Sequence, residues 1–157
     1  MEEGLDWLEL IARQFHLEDV DMRTYSPLTL AYIGDGVYEL VVRTILVKMG
    51  NCPVNKLHRR ASTLVRAGAQ SDMIKALMPE LSQEESKIYK RGQNAHSATM
   101  AKNATAADYR RATGFEALMG WLYLTRQWER MLELIGTGLE LPQDDLIWEQ
   151  ERKVVSA

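Results

Sequence analysis

The chain has 157 residues, 46% hydrophobic and 26% charged, with a formal net charge of −3. That composition excludes a disordered chain, and the length allows one domain with a sizeable core but not two. The single cysteine, Cys52, excludes an internal disulfide and a cysteine-based zinc or iron–sulfur centre, and fits a reducing, cytoplasmic setting.

The N-terminus (MEEGLDWLEL) is acidic and lacks the basic and apolar regions of a secretory signal. Leu5, Leu8, Ile11, Ala12 and Phe15 recur at helical spacing and predict a first amphipathic helix. Residues 19–25 read as a loop. Ser26-Pro27 reads as an N-cap followed by proline at the first helical position. The helix it opens is expected to reach Met49, with Gly50 as its stop. Its apolar run, 28–47, is interrupted by Asp35, Glu39 and Arg43 and makes a poor membrane span. A third helix starts at Pro53 or Asn55 and carries Leu57, Ala61, Leu64 and Val65. A fourth covers 67–78 and ends before Pro79. Ser82 with Glu85 predicts a capping box on a short helix ending at Gly92. Residues 92–104 (GQNAHSATMAKNA) read as a loop. Thr105 caps a helix with Phe115, Leu118, Met119 and Leu122 on one face. A last helix holds Trp128, Met131, Leu132 and Ile135, its end weakened by Gly136 and Gly138. No segment alternates with period two over strand length, so the expected fold is all-α. Residues 1–140 form the expected single domain, with its core at 27–135. The tail, 141–157, is polar, although Trp148 has the character of a docking residue.

Charge is unevenly spread. Residues 1–42 carry two basic and nine acidic side chains, 43–111 carry thirteen basic and five acidic, and 112–157 carry four and eight. The middle block reads either as an anion-binding surface or as a solvated helical face.

Two segments stand apart. In LAYIGDGVYELVVR (30–43), Ala31, Asp35, Glu39 and Arg43 share one face of a helix that is apolar on most of its circumference. A carboxylate there needs a cation, a hydrogen bond or a metal. The glycines flanking Asp35 each cost about 1 kcal/mol relative to alanine, which is understandable where something approaches the backbone closely. Two plainer readings stand beside this one: Gly34-Asp35-Gly36 breaks the helix, and Glu39 pairs with Arg43. In TGFEALMGWLYL (113–124), Glu116 has the small neighbours Ala112, Thr113 and Gly120, which predict a recess around it. One carboxylate from each of two buried helices suits a hard divalent cation such as magnesium. The plainer reading satisfies Glu116 with Arg110, Arg111 or a neighbouring backbone group. Lys56, His58, Arg59, Arg60, Arg66, Lys87, Lys90, Arg91 and Lys102 are placed to neutralise phosphates. Asn94, His96 and Ser97 are placed to hydrogen-bond phosphate or ribose oxygens. His58 and His96 also fit a purely local role.

LAYIGDGVYELVVR resembles the signature helix of ribonuclease III domains, and TGFEALMGWLYL resembles the second acidic helix of that fold. KLHRRASTLVRAGAQS (56–71) and YKRGQNAHSAT (89–99) resemble motifs of one branch, the Mini-ribonuclease III proteins of bacteria and plastids. The resemblance covers residues 27–135. It implies an all-helical, homodimeric, cytoplasmic endonuclease that cuts double-stranded RNA with Mg²⁺, leaving a 5′-phosphate and a 3′-hydroxyl. The branch matures the ends of large-subunit ribosomal RNA precursors and lacks the double-stranded-RNA-binding domain of larger relatives, so none is expected in 157 residues. Whether a ribosomal protein assists as a partner stays open. Asp35 and Glu116 take the catalytic, metal-holding positions. Larger relatives place two further acids where this chain has Ala31 and Thr113, a loss usual in the Mini branch. Two carboxylates favour one well-held Mg²⁺ over a full two-metal site. The rival from another class is a non-catalytic RNA-binding or ribosome-assembly module on the same scaffold.

Overall fold

The computed structural model describes residues 5–95 and 105–139, and every regular element among them is helical. Helix α1 (Trp7–Gln14) is capped by Asp6, whose carboxylate accepts from the Glu9 N–H at 2.9 Å. Leu5 and Phe15, expected within it, flank it instead. The segment expected as a loop holds a 3₁₀ turn, Met22–Thr24. Asp21 accepts from the Arg23 N–H and clamps the Arg23 guanidinium, which closes the turn locally.

Helix α2 (Pro27–Lys48) starts at Ser26, whose hydroxyl accepts from the Thr29 N–H at 3.1 Å, and stops at Gly50 with φ 131°. It runs without a break through Gly34-Asp35-Gly36, which removes the reading of Asp35 as a turn residue. Helix α3 (Val54–Val65) follows Pro53 with no side-chain cap, and α4 (Ala67–Leu77) passes into a 3₁₀ turn, Met78–Glu80, at Pro79. Helix α5 (Gln83–Gln93) opens on the full capping box. Ser82 Oγ accepts from the Glu85 N–H, and Glu85 Oε1 accepts from the Ser82 N–H. Helix α6 (Ala106–Leu124) is capped by Thr105. Helix α7 (Trp128–Leu139) continues past Gly136 and Gly138 because Gly138 is buried against Met73. Most of the loop predicted at 92–104, the 141–157 tail and Trp148 lie outside the described residues.

Helix α6 is the axis of the domain. From Ala112 to Leu122 every residue except Glu116 is buried, and α2, α4, α5 and α7 pack around it. Tyr38 and Phe115, both fully buried, meet edge to face at 5.1 Å and 89°. The Tyr38 hydroxyl donates to the Leu64 carbonyl at 2.8 Å, which ties α3 to the same core. Each fully buried large apolar side chain contributes about 1.5–3 kcal/mol.

A second tie was not visible in the sequence. Arg130 donates to both Glu85 oxygens, at 2.8 and 2.9 Å, and to the Glu80 carbonyl at 2.8 Å. The Arg130 guanidinium holds the Glu85 carboxyl below the usual carboxylate range. This joins α7 to the start of α5.

The closest backbone approach is between α2 and α6. A Cβ at Gly34 would land on the Glu116 carbonyl oxygen and lie 2.7 Å from the Gly120 nitrogen, whereas one at Gly36 would meet nothing within 4 Å. The two glycines therefore respond oppositely to alanine. Gly34→Ala forces the helices apart and lowers stability by about 1–3 kcal/mol or more. Gly36→Ala raises stability by up to about 1 kcal/mol through helix propensity. Urea melts of the two variants check this, and equal signs would contradict the packing described here.

Candidate active site

The crossing of α2 and α6 assembles the site. Gly34 admits the Glu116 carbonyl, and Gly120 admits the Leu30 carbonyl from the other side. With no side chain between the backbones, Asp35 on α2 and Glu116 on α6 come within hydrogen-bonding reach of each other. Asp35 is exposed and Glu116 mostly buried, so the pair spans the boundary between surface and interior. The recess expected beside Gly120 is filled on that side by the α2 backbone.

The electrostatics are uncompensated. Burial, together with the hydrogen bond and the negative charge of Asp35, pushes the Glu116 carboxyl up to about 9. Arg111, one of the partners considered for Glu116, faces Asp108 at 3.7 Å instead. Glu39 pairs with Arg43 at 2.9 Å, both partly exposed, a surface pair worth at most about 0.5 kcal/mol. Ala31 and Thr113 are buried beside the pair, and the Thr113 hydroxyl donates to the Tyr109 carbonyl at 3.0 Å. No cluster of three or more potential metal-ligating side chains occurs among the described residues. The site is a two-carboxylate site with oxygen donors only, which fits a hard cation that keeps most of its waters.

The cationic residues divide by position. His58, Arg59 and Arg66 are exposed on or just after α3, and Lys56 is half-buried. Lys90, Arg91 and Asn94 are exposed at the end of α5. Arg60 faces inward instead: it is 5% exposed, with Nη1 3.9 Å from Cys52 Sγ. His58 also lines a cleft of about 220 Å³ with Leu46, Val47, Val54 and Leu57. His96, Ser97 and Lys102 lie outside the described residues.

The model of the ribonuclease III domain matches residues 28–127, a span that contains α2, both carboxylates and the glycine crossing. The chain belongs to the ribonuclease III domain family. It is 45% identical over 125 residues to a Mini-ribonuclease 3 of Clostridium tetani, covering 79% of this chain and 83% of that protein. It is 49% identical over 118 residues to a Mini-ribonuclease 3 of Enterococcus faecalis, covering 74% and 89%. A crystal structure of a Fusobacterium nucleatum protein superposes with a TM-score of 0.69 at 31% identity, covering 75% of this chain and 94% of that one. The all-α fold expected from the sequence is therefore that of a ribonuclease III domain.

In this domain the raised Glu116 carboxyl has a measurable sign. The folded chain keeps a proton that the unfolded chain releases, so the metal-free protein loses stability as pH rises from 4.5 towards about 9. At pH 7 the cost is about 3 kcal/mol. Glu116→Gln removes it. In chelator, the glutamine variant melts above the parent at pH 8, and the gap closes by pH 5. A gap independent of pH would mean that the pair is not coupled as described.

Proposed function

We propose that Asp35 and Glu116 together hold one divalent cation, Mg²⁺, at the α2–α6 crossing, and that this is the catalytic centre. The chain is an endoribonuclease, and its substrate is double-stranded RNA. The observation that carries the assignment is the contact of two carboxylates, one mostly buried, with no cation beside them among the described residues. Such a pair disfavours its own ionisation, and a divalent ion is the compensation that fits two oxygen donors. When bound, the ion supplies Lewis-acid stabilisation of phosphate charge and a water of lowered pKa. Glu116, as the carboxylate, would hold the ion from the buried side, and Asp35 would hold it from the exposed side. Arg59, Arg66, Lys90 and Arg91 neutralise backbone phosphates, with Lys102 assigned the same role, and His58, Asn94 and His96 hydrogen-bond phosphate or ribose oxygens. Arg60, turned inward, supports α3 rather than touching RNA. Precursors of large-subunit ribosomal RNA are the substrate class and the cytoplasm is the setting. No described helix is long and apolar enough to cross a membrane.

The working unit is a homodimer. Tyr32 is 82% exposed and Leu40 60% exposed on α2, and Leu132 is 50% exposed on α7. Leu40, Val41, Ile45, Leu132, Ile135 and Leu139 line an apolar groove of about 430 Å³. A second copy related by a two-fold axis covers this face and supplies a second centre for the second strand. Sedimentation equilibrium at micromolar concentration gives twice the 17.9 kDa chain mass, and Leu40→Glu returns the monomer. A parent protein that sediments as a monomer refutes the dimer.

Asp35→Asn keeps shape and loses charge. It lowers cleavage of perfect duplex RNA by about a thousandfold or more at every Mg²⁺ concentration, while duplex affinity in Ca²⁺ stays within about threefold. Its metal-free melting point is equal to or above that of the parent, and its Mg²⁺-dependent rise in stability is lost. Retained cleavage would refute the assignment. Duplex binding without cleavage by the parent itself would establish the rival non-catalytic RNA-binding module.

A further inference from the structure

On α5, Gln83, Lys87, Lys90, Arg91 and Asn94 follow one another at i, i+4, i+7, i+8 and i+11 and form a single exposed stripe. Three of the five are cations. None of these cations forms an ion pair with another described residue, in contrast to Arg130, Arg43 and Arg126. The nearby Glu85 is withdrawn from the surface, buried and neutralised by Arg130. Glu84 heads the adjoining row, leaving the stripe itself without an acid.

At its start the stripe borders a cleft of about 400 Å³ lined by Leu81, Ser82, Gln83, Ser86, Lys87 and Lys90. Its lining includes two lysines, two serines and a glutamine. The chain just before and within it is fixed by Arg130, which binds the Glu80 carbonyl and the Glu85 carboxylate, both at 2.8 Å.

Its distance from the catalytic pair is set by a second close helix contact. A Cβ at Gly92 would lie 2.9 Å from the Gly114 Cα and 2.8 Å from the Ala117 Cβ, so α5 touches α6 on either side of Glu116 in sequence. Lys87 lies five residues before Gly92, about 7.5 Å along the helix axis. The C-terminal end of the stripe thus lies on the part of α5 that packs against α6 around position 116, and its N-terminal end lies at the cleft.

We propose that this cleft is a second phosphate site, which binds an internal phosphodiester of duplex RNA away from the one that is cut. The proposal rests on the function given above. Lysine offers a point charge rather than a bidentate fork, so the site reads backbone position and not base sequence. It gives a domain of this size a minimum duplex length, because only an arm long enough to reach Lys87 gains the contact.

The test compares Lys87→Ala and Lys87→Arg with the parent on two duplexes that share one cleavage site and carry 5′-hydroxyl ends. One has long arms, and the other has arms cut back to the shortest length the parent still cleaves. Affinity is measured in Ca²⁺ across salt, and cleavage in Mg²⁺. On the long duplex, Lys87→Ala weakens binding about three- to tenfold and reduces the salt slope by about 0.7–0.9, as loss of one phosphate contact requires. The loss appears in KM, with kcat within about twofold, and Lys87→Arg restores it. On the short duplex all three proteins coincide. No effect on the long duplex, or an equal loss on both, overturns the proposal. Failure of the functional reading looks different: the parent binds both duplexes and cuts neither.

Discussion

Two helices of this domain cross with no side chain between them, and the rest of the structure depends on that contact. Gly34 accepts the Glu116 carbonyl and Gly120 accepts the Leu30 carbonyl, in a space where any Cβ would collide with backbone. Helices normally pack with their axes 8–10 Å apart, kept there by interdigitated side chains. Here the separation is set by backbone instead, and each glycine gives up about 1 kcal/mol of helix propensity to allow it. The return is positional. Asp35 is anchored by the residue before it, Glu116 lies within the same contact, and the two carboxylates meet because their helices do.

The same domain contains a second mostly buried glutamate whose environment is the reverse. Glu85 is encircled by Arg130 and its own capping box, and its carboxyl is held below the usual range. Glu116 has a second acid for a neighbour, and its carboxyl is pushed far above that range. One acid is stabilised by the protein and holds helices together. The other is kept protonated by burial and a second acid, which costs stability above the ordinary carboxylate range. Perturbed acids of this kind cluster at functional sites.

The exposed surfaces of α3 and α5 carry cations, although the whole chain is net negative. A polyanionic backbone is attracted to such surfaces and repelled by an acidic pair. On the function proposed above, RNA affinity and catalysis are separable: the first is assigned to lysine and arginine on α3 and α5, the second to two carboxylates at one crossing.

Local chemistry made much of this legible in the amino-acid sequence. Ser26-Pro27, the Ser82–Glu85 capping box, Thr105 and Gly50 mark helix ends through hydrogen bonds or backbone angles spanning three or four residues, and all four mark ends in the fold. The motifs around Asp35 and Glu116 carried the family and the two carboxylates in the same way. What depends on residues distant in the chain was not readable. Gly34-Asp35-Gly36 reads as a possible break until α6 is seen lying against it. The small residues beside Glu116 read as a recess, where Gly120 is in fact occupied by the α2 backbone. Arg60 has the sequence context of a surface cation and is buried, and Glu85 meets a partner forty-five residues away. Periodicity and capping report on a residue's own helix, because those interactions close within one turn. Which helix lies across it, and whether the gap between them admits a side chain, is decided only when the whole chain packs.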